Sequence, residues 1–202
     1  MTALNIAART PALGDDPVAL RARIATLTEE CHQLSTRYVE LEQQNSDLIK
    51  LCVAHTRLQG ATSRSEATAA LHEIVVNLIG SERFAILEPV AGQLRVTSTF
   101  GLTALLPEDL PGGVARVRES ARSGALFVAP RDASEQHGGL TACVPLLSPA
   151  GVKGVIAVYE LLPHKPWLEQ LDFALLDLLT SLGGRALYCA DVLDLMRGAP
   201  AA

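Results

Sequence analysis

Five sets of residues have the types that chemistry uses. Asp132, Ser134 and His137 are an acid, a nucleophile and a base, the composition of a hydrolytic triad, but all three fall within one short polar loop, Arg131 to Gly139. A working triad converges on a substrate from separated segments, so this cluster reads as solvated loop. Cys31, Cys52, Cys143 and Cys189 are far apart, with no CxxC pair and no Cys and His at zinc spacing. Neither a disulfide framework nor a structural metal is implied, and a reducing cytoplasm fits best. Cys143 lies inside an apolar strand and reads as a small buried hydrophobe. His32, His55, His72 and His164 show no HxxxH or HxxE spacing, and Pro111-Gly112-Gly113 lacks the preceding strand and the Lys-Ser or Lys-Thr of a phosphate loop. Arg116, Arg118 and Arg122 form a small basic helix face, read as solvated surface ahead of an anion or partner site. No catalytic residue, metal ligand or cofactor site is assigned, and the expectation is a protein that is not an enzyme and carries no cofactor.

Composition narrows the partners. The chain has 202 residues, 49% hydrophobic and 19% charged, with a formal net charge of −5, which phosphate backbones and anionic lipid repel. Its 4 Phe, 3 Tyr and 1 Trp leave few platforms for stacking bases. The N-terminus has no cationic start and no uninterrupted apolar stretch, and no later segment is expected to offer the roughly 20 apolar residues a membrane span needs. The expectation is a cytoplasmic protein that binds neither nucleic acid nor membrane.

The elements that position these residues begin with a zipper. After a tail, residues 1–16, expected to be disordered and to end on Asp16 as a helix cap, Leu20, Leu27, Leu34, Leu41 and Leu48 recur every seventh residue. They occupy heptad position d, and Ile24, Cys31, Tyr38, Asn45 and Cys52 occupy a. Such a period, held without Gly or Pro from Val18 to Gln59, predicts a left-handed coiled coil over 17–59. Leucine at d favours two strands. Asn45 at a pairs with its own copy only in a parallel, in-register dimer, and Arg37 at g then faces Glu42 at e of the partner, a pair contributing about 0.2–1 kcal/mol. The alternative is a single amphipathic helix lying on its own domain. Arg21, Arg23, Arg37, Lys50 and Arg57 are balanced by Glu29, Glu30, Glu40, Glu42 and Asp47, so this is no DNA-gripping basic zipper. Leu51, Cys52, His55 and Leu58 widen the stripe before Gly60-Ala61-Thr62-Ser63 breaks it, placing a linker at 60–64.

Ser63 or Ser65 then caps a helix that carries Leu71, Ile74, Val75 and Leu78 and ends at Gly80. From Arg83 the period becomes two. Strands are expected at 84–87 and 94–100 with a hairpin turn at 90–93, then a short helix at 114–123, a strand at 125–128, and a hairpin of 140–147 and 154–161. Val155 to Tyr159 is apolar on both faces, which predicts a central strand. A leucine-rich helix from about Trp167 to Met196 is apolar nearly all round and needs cover on two sides, one of them supplied by a second copy of the chain; residues 197–202 are expected to be a disordered tail. The fold class is α+β: an antiparallel sheet backed by terminal helices, with an N-terminal parallel coiled-coil helix.

Val144-Pro145-Leu146-Leu147, a turn, and Gly151-Val152-Lys153-Gly154-Val155-Ile156-Ala157-Val158 before a leucine-rich helix resemble the second half of a GAF domain, and Leu71 to Gly80 leading into Arg83-Phe84-Ala85-Ile86 resembles its first half. The resemblance covers residues 65–196. It implies a sensory or scaffolding module, often dimeric through its terminal helices, in which some members hold a small ligand on the sheet face away from the helices. The Asn-Lys-Phe-Asp-Glu signature of nucleotide-binding members has no match here, the crossover that walls the pocket is short, and no recognisable bilin-attachment cysteine is present. Thr97, Thr99, Thr141, Cys143 and Tyr159 are the strand residues that would orient a ligand. With no output domain after the last helix, the expected function is that of a homodimeric scaffold contacting an unidentified protein partner; the alternative is a sensor relaying the occupancy of a small-molecule pocket through its helices.

Overall fold

The computed structural model describes residues 17–104, 106–112, 114–131 and 138–198. The Asp16 cap, both expected tails apart from Arg197 and Gly198, and the Asp132, Ser134, His137 cluster lie outside them. The chain divides into two compact units, Met1–Ser46 and Asp47–Ala202.

The first unit is the leading part of helix α1 (Pro17–Gln59), a continuous helix of 43 residues. Its seam faces solvent: Leu20, Ile24, Leu27, Leu34, Tyr38 and Leu41 are all exposed, as is Cys31. Thr26, Thr28 and Thr36 turn their hydroxyls back onto carbonyls one turn earlier, at 3.1, 2.8 and 3.0 Å, which satisfies them within the helix.

The second unit reaches back beyond the linker. Ala54 and Leu58 are buried and Leu51 packs against the same core, whereas Leu48 and Cys52 stay exposed. The last turns of α1 therefore use one face on the globular unit and leave the a and d positions free. After Gly60, helix α2 (Arg64–Glu73) starts on Ser63, whose hydroxyl accepts from the Glu66 amide at 3.2 Å. Glu66 reaches back to the Thr62 amide at 2.8 Å and its hydroxyl at 2.9 Å, completing the cap and holding its carboxyl below the usual range. A π turn, Ile74–Ile79, continues α2 to Gly80, whose φ of 74° ends it in the left-handed conformation.

The sheet has the order β2-β1-β5-β4-β3. Its strands are β1 (Ser81–Val90), β2 (Gln93–Phe100), β3 (Phe127–Val128), β4 (Ala142–Ser148) and β5 (Gly151–Leu161), all antiparallel. β5 lies at the centre as its two-faced apolarity predicts. Ala91 and Gly92, with φ of 52° and 79°, make the β1–β2 turn of the primed type that suits strand twist. β3 is shorter than expected, and Gly151 to Lys153 belong to β5 rather than to the turn, which leaves Pro149 and Ala150 to join β4 to β5.

The final helix starts at Gln170, three residues later than expected, because Glu169 and Asp172 form its cap: the Glu169 amide donates to Asp172 Oδ2 at 2.6 Å. It runs as α4 (Gln170–Leu178), a π turn (Leu179–Gly183) and α5 (Gly184–Gly198). It also ends later, in place of the expected tail at 197, and Arg197 donates to the Thr62 carbonyl at 3.0 Å. Lys165 binds Asp172 and the Ile79 carbonyl, both at 2.6 Å, tying the end of α2 to the start of α4. By length and composition the stretch Gln170–Arg197 is apolar enough to cross a membrane, contrary to the sequence reading. Leu175, Leu176, Leu179 and Leu187, which supply much of that apolarity, fill the core against the sheet. Part of the second cover expected from another copy comes from α2 and the end of α1.

Two apolar layers result. Phe84, Ile86, Val144, Leu146, Ile156 and Val158 meet the long helices. Ala85, Leu87, Cys143, Val155, Ala157 and Tyr159 meet Leu110, Val114, Leu140 and Val117 of helix α3 (Ala115–Ser123).

Candidate functional site

The face away from the long helices is where a ligand was expected, and the chain fills much of it itself. Cys143 and Tyr159 come together there, fully buried among aliphatic side chains. Burial pushes the Cys143 thiol up to about 12, with Arg116 pulling slightly the other way, so it is no nucleophile at neutral pH. The Tyr159 phenol is raised for the same reason, and among the described residues its Oη has no hydrogen-bond partner. The Thr141 hydroxyl donates to the Tyr159 carbonyl at 2.7 Å and the Thr97 hydroxyl to the Ile86 carbonyl at 3.1 Å. Both threonines are thus used by the sheet. Thr99 stands opposite Ala85, beyond a bulge at which Ile86 pairs with Ser98 and Leu87 with Val96.

None of these five residues lines the main concavity of that side. A crevice of about 870 Å³ opens between the outer edge of β2 and helix α3, a size within the range of ligand clefts, about 300–1,000 Å³. Leu94, Val96 and Ala121 supply aliphatic surface, and Arg95, Arg118, Arg122 and Glu108 supply charge. Arg118 reaches Glu108 at 3.0 Å, both side chains largely exposed. Arg116 points elsewhere, lying 5.0 Å over the Phe127 ring and 3.1 Å from Glu119. The α3 arginines were legible from the sequence. Their opposition to β2 was not, because it depends on the crossover between them.

A second charged cluster sits where α5 passes α2 and the strand ends. Asp191 binds Lys153 at 2.6 Å and also Arg64, whose other nitrogen binds the buried Glu88. Burial alone would raise the Asp191 pKa, but its hydrogen bonds to Lys153 and Arg64 hold it below the usual carboxylate value. The network fixes α2, α5, β1 and β5 to one another and has no group poised for chemistry. Among the described residues no three His, Cys, Asp or Glu side chains converge as a metal site.

With this geometry in view, known structures can be compared. The GAF domain of an Acinetobacter phosphoenolpyruvate-protein phosphotransferase matches with a TM-score of 0.55 at 14% identity, over 73% of this chain and 96% of that one. The GAF domain of the potassium sensor histidine kinase of Escherichia coli matches with a TM-score of 0.53 at 18% identity, over 74% of this chain and 99% of that one. PelD of Pseudomonas aeruginosa, residues 158 to the C-terminus, matches with a TM-score of 0.55 at 17% identity, over 78% of this chain and 54% of that one. No family model matches the sequence, and no curated protein does. The globular unit has the GAF fold, an α+β module with an antiparallel sheet and terminal helices; at these identities the likeness is one of architecture.

Proposed function

We propose that this chain is a homodimeric signalling module of GAF architecture that is not an enzyme and acts by contacting other proteins, with the leading part of α1 as its parallel coiled-coil dimeriser. The observation that carries the reading is the separation of faces on α1. Leu51, Ala54 and Leu58 serve the globular unit, while the a and d residues from Leu20 to Cys52 remain exposed. An apolar stripe that long, rimmed by charge, is the surface a second identical helix covers. The GAF domain of a sensor histidine kinase among the matching structures supports a place in signalling.

Native mass spectrometry of the full chain tests it. A mass of twice 21.4 kDa is expected, and a monomer at micromolar concentration overturns the dimer. The sensor reading rests on one observation, the buried Tyr159 hydroxyl without a partner among the described residues. Leu110, Val114 and Val117 already occupy the space above that face, which favours the contact module. A constant mass excess over the dimer in the same spectrum would reverse that preference.

A further inference from the structure

We propose that the crevice beside β2 is a docking groove for an extended acidic segment of a partner protein, which adds to the sheet along Gln93–Val96 and sets its carboxylates against Arg118 and Arg122. The proposal deepens the reading of the chain as an interaction module and rests on it. β2 is the outer strand of the sheet, and among the described residues none hydrogen-bonds to its free edge. The regular stretch is bounded by the Ala91-Gly92 turn on one side and the bulge around Thr97 on the other, so an added strand has a defined beginning and end. Leu94 and Val96 are only half covered by the second apolar layer, which leaves aliphatic surface for alternate side chains of the incoming strand.

Charge determines the kind of strand. Among the described residues Arg118 and Arg122 of α3 meet a single carboxylate in the crevice lining, Glu108, with Arg95 at the strand edge, so it is locally cationic in a chain whose net charge is −5. Arg118 and Arg122 are one helical turn apart on α3, on the same face, and guanidinium groups so placed bind carboxylates through paired hydrogen bonds. The exposed Arg118–Glu108 pair is of the kind that contributes about 0–1 kcal/mol and yields readily to a better partner. A free inorganic anion would use the arginines and ignore Leu94, Val96 and the strand edge; an acidic strand uses all of them.

The probe is a fluorescein-labelled peptide of alternating Glu and Val, titrated into the full-length chain by anisotropy, with a Lys and Val peptide and a Glu and Pro peptide as controls. Saturable binding of the Glu and Val peptide alone is expected, with slowed amide exchange at Gln93–Val96. Arg118→Glu with Arg122→Glu, both exposed, should weaken it at least tenfold at unchanged Tm and admit the Lys and Val peptide instead. Equal binding of the Glu and Pro peptide, displacement by inorganic phosphate, unchanged exchange in β2, or no binding would each overturn the groove. A dimer that fails to bind the peptide removes the groove and leaves the dimer reading standing; a monomer that binds it does the reverse.

Discussion

His72 shows how one polar side chain is accommodated beneath the sheet. Its Nε2 lies 2.6 Å from the Ser98 hydroxyl, and its ring meets Phe84 edge-on at 4.8 Å, with Phe84 stacked on Phe100 at 5.7 Å. Partial burial lowers its pKa below the ordinary 6.5, so the folded chain resists the proton that the unfolded chain accepts. The sign follows from linkage: stability present above the unfolded value is lost as pH falls through 6.5 toward the folded pKa. Urea midpoints should therefore fall between about pH 7.5 and 5.5, and His72→Gln, which keeps a hydrogen-bonding group near Ser98 without a titrating ring, should flatten that slope. An equal slope in the variant would assign the acid loss to other groups. Asp191 acts in a different window: its carboxyl is held below the ordinary 3.8, so the stability it contributes is present above 3.8 and is lost as pH falls from there through the folded value.

At the scale of elements, the long final helix is placed by two glycines. A Cβ at Gly183 would stand 2.9 Å from Leu146 Cδ2 and 3.0 Å from Leu71 Cδ2, and one at Gly184 would run into the Leu146 and Leu147 carbonyls. Gly184 has an ordinary helical φ of −67°, so backbone freedom is not what requires it. Helix propensity alone would have Gly184→Ala stabilise by about 1 kcal/mol. Steric overlap with the β4 backbone reverses the sign, and a loss of about 1–3 kcal/mol or more is expected in urea unfolding; a gain would mean that the helix lies farther from β4. This contact also marks where reading the sequence stops. Gly80 as a helix end, a cap at Ser63 or Ser65 and the apolar run of β5 announce themselves because each depends on neighbouring residues. The π turns at Ile74–Ile79 and Leu179–Gly183 do not, since their residues read as a continuation of the helices they extend. Nor does the face on which Leu51, Ala54 and Leu58 lie: beside Cys52 and His55 they read as one widened stripe, and only packing divides it. The candidate site was less legible. Thr97 and Thr141 carry hydroxyls on strands, as ligand-orienting residues would, yet backbone carbonyls of adjacent strands take both.

For the whole molecule, the question is what a second copy would recognise. The heptad leucines would associate in several registers and numbers of strands, because apolar layers are interchangeable. Asn45 is not interchangeable. In a parallel in-register dimer its amide meets its own copy, whereas a one-heptad slip sets it against Tyr38 and Cys52 and reversal of one strand sets it against a d-position leucine, leaving the amide pair unmade at a penalty of about 1–3 kcal/mol. Arg37 and Glu42 favour the same arrangement, since parallel strands bring opposite charges together across the seam and exposed pairs of this kind select more than they stabilise. On the helix itself Glu42 already accepts from the Tyr38 hydroxyl, which raises the Tyr38 pKa and holds that carboxylate beside the seam. Asn45→Leu should therefore raise the melting temperature while broadening the distribution of assemblies, with trimer or mixed registers appearing beside the dimer in native mass spectra. A variant with the same single dimer mass and the same melting curve as the parent would show that another surface, and not the α1 seam, joins the copies.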